Sequence, residues 1–149
     1  MRPAPPRNRR PARAATADGA YEAKSCGFVV RVRPSYLADQ SDPYEHRYVW
    51  AYRIEIENRS PATAQLISRH WEITDASGRL EEVDGPGVVG EQPTIRPGET
   101  FSYASGCPLT TPSGLMVGRY QLVGDDGEGF EIEVPAFSLD RPVARRVVN

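Results

Sequence analysis

The stretch VWAYRIEIEN, residues 49–58, places a large apolar side chain at every even position from 50 to 56. Arg53, Glu55 and Glu57 stand at odd positions between them. Successive side chains of a β-strand point to opposite faces of the sheet. This period of two therefore predicts a strand with one face in a core and the other in water.

The same period recurs along the chain and predicts further strands. Ile67, Trp71 and Ile73 share one phase and are predicted to face the core, whereas His70 and its polar neighbours Glu72 and Thr74 face outward. Core-facing positions in two later runs are Met116, Gly118, Tyr120 and Leu122, then Phe130, Ile132 and Val134. Weaker patterns predict strands at Cys26–Val32, Leu80–Val83 and Thr100–Ser105.

Turn-forming residues separate these runs at short intervals, at residues 58–61, 75–78, 96–99 and 124–127. No stretch combines a helix cap with a 3.6-residue period, and residues 34–42 are predicted to hold at most one helical turn. About seven short strands joined by turns predict an all-β fold, an immunoglobulin- or fibronectin type III-like antiparallel β-sandwich. Trp71 and Tyr120 resemble the buried tryptophan and the corner tyrosine of such domains.

Composition narrows the class of protein. The 149 residues are 39% hydrophobic and 26% charged, which is typical of one folded domain. No apolar run approaches the ~20 residues of a membrane-spanning helix, so membrane insertion is not expected. Two cysteines cannot build a disulfide-dense scaffold. We expect one of them, Cys26, to be a buried thiol in the first strand and the other, Cys107, an exposed loop thiol.

Charge is distributed unevenly. Residues 1–20 are rich in Pro, Ala and Arg, and residues 141–149 add three more arginines. These segments lack apolar anchors, so we predict a disordered basic N-terminal tail, a domain over residues 21–140 and a flexible C-terminal tail. Residues 21–140 carry nineteen acidic and ten basic residues, which predicts that the domain does not bind nucleic acid. The lack of a secretory apolar segment favours a cytoplasmic location.

A glycine-rich segment, Gly85-Pro86-Gly87-Val88-Val89-Gly90, matches the G-x-G-x-x-G pattern of pyrophosphate-binding turns. That chemistry needs a helix directly after the glycines, with its N-terminal amides facing the phosphate. Pro93 and Pro97 prevent such a helix, and Pro86 lacks an amide hydrogen. We therefore interpret the segment as a loop that crosses between the sheets. A nest of backbone amides that holds a phosphate without a helix stays as the alternative.

Two groups of residues are candidate metal sites: Asp42, Glu45 and His46, and then Asp125, Asp126 and Glu128. Oxygen-rich groups of this kind suit hard cations. Acidic turns are usually just solvated, so no metal site and no cofactor are predicted.

Candidate catalytic residues do not form a known pattern. Ser68 lies near His70, and Ser105 near Cys107, but no nucleophile elbow surrounds either serine. The sequence therefore predicts that the protein is not an enzyme.

Four motifs in order resemble one family: LISRHWEITD at 66–75, VDGPGVVGEQP at 83–93, PGETFSY at 97–103 and PLTTPSG at 108–114. They are similar to the ApaG family, and the likeness covers roughly residues 21–140. The resemblance implies a fibronectin type III-like sandwich without catalytic residues. Bacterial members are linked by name to cobalt and magnesium efflux, and eukaryotic members carry the domain inside larger assemblies, which favours protein recognition.

The leading hypothesis is a protein-interaction module with an unidentified protein partner. Gly85, Gly87 and Gly90 let a partner approach the backbone, and Val88 and Val89 are apolar residues in a loop. The two valines either form an exposed docking site or pack inward. The alternative function is a sensor that binds a pyrophosphate, a nucleotide or a divalent metal at the glycine-rich segment or at the acidic groups.

Overall fold

The computed structural model describes residues 20–142, so the predicted tails lie outside it except for Ala20, Arg141 and Pro142. The described residues form nine strands and two single turns of 3-10 helix, Ala38–Gln40 and Pro43–Glu45. The strands are β1 (Tyr21–Ser25), β2 (Phe28–Tyr36), β3 (Tyr48–Asn58), β4 (Ala64–Asp75), β5 (Leu80–Pro86), β6 (Thr94–Ile95), β7 (Thr100–Leu109), β8 (Ser113–Gly124) and β9 (Gly129–Asp140).

The strands form two antiparallel sheets. Sheet one has the order β1-β2-β3-β7, and sheet two has the order β5-β4-β8-β9, with the short β6 paired to the start of β4. The predicted all-β antiparallel sandwich is confirmed. It has nine strands instead of seven because β1 and the two-residue β6 have little alternation in sequence. No helix in residues 20–142 is long and apolar enough to cross a membrane.

The phase of β3 is confirmed, since Trp50, Tyr52, Ile54 and Ile56 are all buried.

The prediction for the cysteines is wrong. Cys26 has a φ of 51° and forms, with Gly27, the exposed turn between β1 and β2. Cys107 lies in β7 opposite Trp50 and is buried. Burial raises the pKa of its thiol to about 11.

A β-bulge in β4 corrects the predicted phase of Ile67. Leu66 pairs with Leu122 and Ser68 with Gln121, so Ile67 is the extra residue between two ladder positions. Leu66 takes the core position and Ile67 is only partly buried, because one added residue reverses the alternation. After the bulge, Trp71 and Ile73 face the core as predicted.

Two tyrosines join the sheets through the core. The hydroxyls of Tyr103 in β7 and Tyr120 in β8 lie 2.5 Å apart. Tyr120 is buried, as its likeness to the corner tyrosine of immunoglobulin-like domains suggests. Its hydroxyl, however, is hydrogen-bonded to the Tyr103 side chain of the other sheet. Burial is the main cause of the raised pKa of both phenols.

The two sides of the sandwich differ. On one side β9 packs against β1 and β2. There Ser25 Oγ accepts a hydrogen bond from the Glu133 amide at 2.9 Å, and Cys26 Sγ donates to the Glu131 carbonyl at 3.4 Å. On the other side β7 and β5 are the outer strands of their sheets. The glycine-rich segment therefore begins at the end of an edge strand.

Candidate functional site

The glycine-rich segment, Gly85–Gly90, connects two strands of the same sheet. Its first two residues are the last two of β5, and it leads to β6; both strands pair with β4. The expectation that it crosses between the sheets is therefore wrong. The crossing comes later, at the turn of residues 96–99 between β6 and β7, because Pro93 first accepts a hydrogen bond from the Leu66 amide and keeps the chain beside β4.

The tip of the segment is a tight two-residue turn. Val88 and Glu91 exchange two backbone hydrogen bonds, of 2.8 and 2.9 Å. Val89 and Gly90 between them have φ values of 45° and 80°, the pair of positive angles that defines a type I′ turn. Glycine is suited to such angles, but a β-branched valine is strained by them. Val89 is held in an unfavourable backbone conformation by its surroundings.

The two valines have opposite fates. Val88 is fully buried in the core, and Val89 is 53% exposed. The sequence does not decide whether the two valines form an exposed docking site or pack inward. The structure separates the pair because Val88 is hydrogen-bonded to Glu91 at the base of the type I′ turn, whereas Val89 is one of the two residues at its tip. Only Val89 is available at the surface.

Arg69 fixes the segment to the sheet. It lies opposite Gly85, where a Cβ would come within 2.8 Å of its guanidinium. Its Nη1 donates to the carbonyls of Pro86 and Gly87 at 3.0 and 2.8 Å. The Gly87 amide and Gln92 Nε2 both donate to the carbonyl of Ile67, the bulge residue of β4. The segment is therefore a rigid loop with its backbone tied down at both ends.

These bonds bear on the phosphate-binding alternative. The amides of Gly87, Val88 and Glu91 already donate to carbonyls of the protein. Pro86 has no amide hydrogen. A nest for a phosphate needs several free amides that converge on one point. Pro86, Gly87, Val88 and Glu91 therefore supply no free amide for a phosphate.

A second group of polar side chains lies on the outer face of sheet two. The β4–β5 pairing sets His70 opposite Asp84 and Glu72 opposite Glu82. His70 Nδ1 lies 2.6 Å from Asp84 Oδ1, and His70 Nε2 lies 3.7 Å from Glu72 Oε1. His70 faces outward as predicted, but it is buried because its neighbours in β5 and β8 cover it.

Comparison with known proteins gives the family. The ApaG domain model matches residues 38–124. The chain is 62% identical over 129 residues to Protein ApaG of Brucella anthropi, which covers 87% of this chain and 99% of the relative. The chain belongs to the ApaG family. Protein ApaG of Brucella canis is 60% identical over the same lengths. A crystal structure of an ApaA protein from Bordetella pertussis, 50% identical, superposes with a TM-score of 0.76 over 78% of this chain and 95% of that one.

These names state no substrate, partner or reaction. Functional evidence for this member of the ApaG family therefore comes from the arrangement of its side chains. Ser68 and His70, which are close in sequence, do not pair with each other, because Ser68 Oγ donates to Gln121 Oε1 at 2.6 Å. At the hairpin between β8 and β9, Asp126 Oδ1 accepts the Glu128 amide at 2.9 Å and stabilises the turn.

Sequence reasoning missed the His70 group. Within residues 20–142, His70, Glu72 and Glu82 are the three potential metal ligands that lie close together. A signal was present in this ApaG sequence. The turn at residues 75–78 sets the β4–β5 register, and counting back from it places Glu72 beside Glu82 and His70 beside Asp84.

Proposed function

We propose that this ApaG-family chain is a non-enzymatic, cytoplasmic protein-interaction module, and that the glycine-rich loop is its contact point. The observation that carries the proposal is Val89, an exposed apolar side chain on a rigid turn. Val88 anchors the turn in the core, so the two adjacent valines have separate roles, one structural and one for contact.

Rigidity favours binding at this loop. Ordering a flexible loop in a complex costs free energy, and a loop that is already ordered avoids that cost. Arg69, the Ile67 carbonyl and the Val88–Glu91 bridge hold the loop in one conformation. The positive φ of Val89 is a strained angle, and such outliers concentrate at functional positions.

Charge indicates the chemistry of the partner. The β5 strand beside the loop exposes Glu81, Glu82 and Asp84, and Glu91 is exposed at the end of the turn. The partner is therefore a folded protein with an apolar pocket for Val89 and basic side chains around it. Complementary charge raises the rate of association and makes binding sensitive to salt. A role in cobalt or magnesium efflux, which the family resemblance implies, would run through this partner.

The test is a Val89→Asp variant of the full chain. Wild-type protein and variant are each immobilised and exposed to cell lysate. The proteins that each one retains are identified by mass spectrometry and compared. The expected result is a partner that Val89→Asp loses at least tenfold and that dissociates as salt rises. Tyr44→Asp is the matched control, because Tyr44 is 95% exposed on a different loop. It is expected to retain the partner.

Two outcomes contradict the proposal. One is a set of retained proteins that does not differ between Val89→Asp and the wild type, when both unfold at the same temperature. The other is binding of inorganic pyrophosphate or a nucleotide more tightly than ~10 μM, which would make the loop a ligand site. Val88→Asp is unsuitable for this test because it places a charge in the core.

A further inference from the structure

We propose that His70, Glu72 and Glu82 form a binding site for a divalent first-row transition-metal ion on the outer face of sheet two. One ligand atom from each residue lies within 4.8 Å of the others. The site uses neither Val89 nor the glycine-rich loop, so it does not rest on the proposed contact function.

The imidazole of His70 has one nitrogen without a partner. His70 is 9% exposed, and its Nε2 is buried and makes no hydrogen bond. Buried polar atoms in folded proteins are nearly always satisfied, and one that is not calls for an explanation. The nearest carboxylate oxygen, Glu72 Oε1, lies 3.7 Å away, too far for a hydrogen bond. That separation leaves room for an ion which both atoms can ligate.

Asp84 sets the proton of the imidazole. Its Oδ1 lies 2.6 Å from His70 Nδ1, so in the neutral imidazole the Nδ1–H donates to the carboxylate and the lone pair is on Nε2. A carboxylate bonded to the far nitrogen in this way commonly orients a histidine that binds a metal ion. In this tautomer the lone pair of Nε2 lies 3.7 Å from the acceptor oxygen Glu72 Oε1, an arrangement that a bound cation would stabilise.

Glu72 and Glu82 supply the second argument. They are directly opposite each other on adjacent antiparallel strands. Like charges at such positions repel and destabilise the sheet. The nearest basic residue from β8 is Arg119, the register partner of His70, and its Nε lies 3.5 Å from Glu131 of β9. Among the described residues the ion pair of Arg119 is with Glu131, and its Nε is, like His70 Nε2, buried without a hydrogen bond.

The donor set indicates the kind of ion. One imidazole and two carboxylates favour Zn²⁺ and its neighbours in the first row over Mg²⁺ and Ca²⁺, which prefer oxygen ligands alone. Three protein ligands leave coordination positions open to water or a further ligand, because Glu82 is exposed.

The experiment titrates Zn²⁺ into the full chain by calorimetry, in a Cys26→Ser background that removes the exposed thiol. The expected Kd is tighter than ~10 μM. Glu82→Gln is expected to weaken binding at least tenfold. Glu81→Gln is the matched control: it removes the same charge from the adjacent exposed position, on the opposite face of β5, and is expected to leave the Kd unchanged.

Imidazole nitrogen shifts identify the ligand atom. Zn²⁺ is expected to shift the Nε2 resonance of His70 and to leave both nitrogens of His46, the other histidine of the chain, unchanged. Glu82 is exposed, so Glu82→Gln is expected to fold, and its thermal unfolding is measured first without metal. Equal Zn²⁺ affinity in Glu82→Gln and Glu81→Gln would overturn the proposal. Binding only above ~1 mM, or a shift at His46 instead of His70, would do the same.

Discussion

Gly118 gives the indole of Trp71 the space that it occupies. The two residues are directly opposite each other in β8 and β4. A Cβ at Gly118 would lie 2.5 Å from Trp71 Cε3 and 3.0 Å from the His70 carbonyl oxygen. The indole is fixed on its other sides by edge-to-face contacts with Tyr120 and Phe137, at centroid distances of 6.4 and 6.1 Å. One glycine thus determines where the largest side chain of sheet two packs.

Gly118→Ala is expected to destabilise the domain by about 1–3 kcal/mol, since the added methyl overpacks a filled core. Gly129→Ala is the control. It also lies in a strand of sheet two, but its Cβ would make only an ordinary contact of 3.8 Å. Urea unfolding of both variants checks the prediction, and equal midpoints for the two would contradict it.

For single side chains, alternation in the sequence predicts which face of a strand each one lies on, and it predicts nothing about loops. The core position predicted for Trp71 is correct because Ile73, which lies beyond the bulge on the same strand, shares its phase. The sequence does not show which of Val88 and Val89 is buried, because two adjacent valines in a loop have no alternation with their neighbours. Their fates depend on the backbone bonds to Glu91, which only the folded loop shows.

At the scale of elements, bulges decide which side chains face the core. Ile67 in β4 was misplaced because an unbroken period of two was assumed. In β9, Val134 pairs with Gly118 and Phe137 with Met116, so a second bulge falls between Val134 and Phe137. A bulge leaves a backbone group free of the ladder. In β4 that group is the Ile67 carbonyl, which binds the glycine-rich loop.

Asn58 connects three elements at the end of β3. It is fully buried, and its Nδ2 donates to the carbonyls of Ala62 and Ile95 at 2.8 and 2.9 Å. Its Oδ1 accepts from the amide and the hydroxyl of Ser60 at 2.9 and 2.6 Å. Every hydrogen-bonding position of the amide is used, so β3, the following turn and β6 are held by one side chain.

Asn58→Ala is expected to cost at least about 2 kcal/mol, because the buried Ile95 carbonyl loses its donor and the Ala62 carbonyl keeps only the Ser60 hydroxyl. Asn58→Asp is expected to cost more at neutral pH, since a carboxylate has no donor and faces the same carbonyls. Ser60→Ala, at the partly exposed end of the network, is the control and is expected to cost less than about 1 kcal/mol. Thermal unfolding ranks the three variants, and a ranking with Ser60→Ala as the most damaging would refute the assignment.

For the whole molecule, the fold class followed from alternation and turn residues, and the order of strands did not. Nothing local in the sequence states that β7 pairs with β3, because that pairing joins residues some fifty positions apart. The candidate sites divide in the same way. The glycine-rich loop stood out as a motif, whereas the His70 group exists only once β4 and β5 are aligned.

Tyr103 and Tyr120 make the union of the two sheets sensitive to alkaline pH. Burial raises the pKa of both phenols, and of Tyr52 beside them, above the ordinary value of 10.0. Above pH ~10 the unfolded chain releases these protons and the folded chain retains them. The free energy of unfolding is therefore expected to fall as pH rises past ~10, by up to about 1.4 kcal/mol per pH unit for each tyrosine.

Tyr103→Phe is expected to reduce this slope, and Tyr44→Phe, which removes an exposed hydroxyl, is expected to leave it unchanged. Urea unfolding at several pH values between 8 and about 11.5 gives the slopes. The slope is the readout, because Tyr103→Phe also lowers stability at every pH by leaving the Tyr120 hydroxyl without its partner. Parallel curves for wild type and Tyr103→Phe would count against the explanation.

The unequal sides of the sandwich limit how copies of the protein can accumulate. β7 is a ten-residue outer strand without a charged side chain, the kind of edge that promotes polymer growth. A fibre needs two such edges on opposite sides of each unit, so that every copy accepts one neighbour and offers itself to the next. Here β1 and β9 cover each other, and both open edges lie on one side. Association through strand edges is therefore expected on the side of β5 and β7.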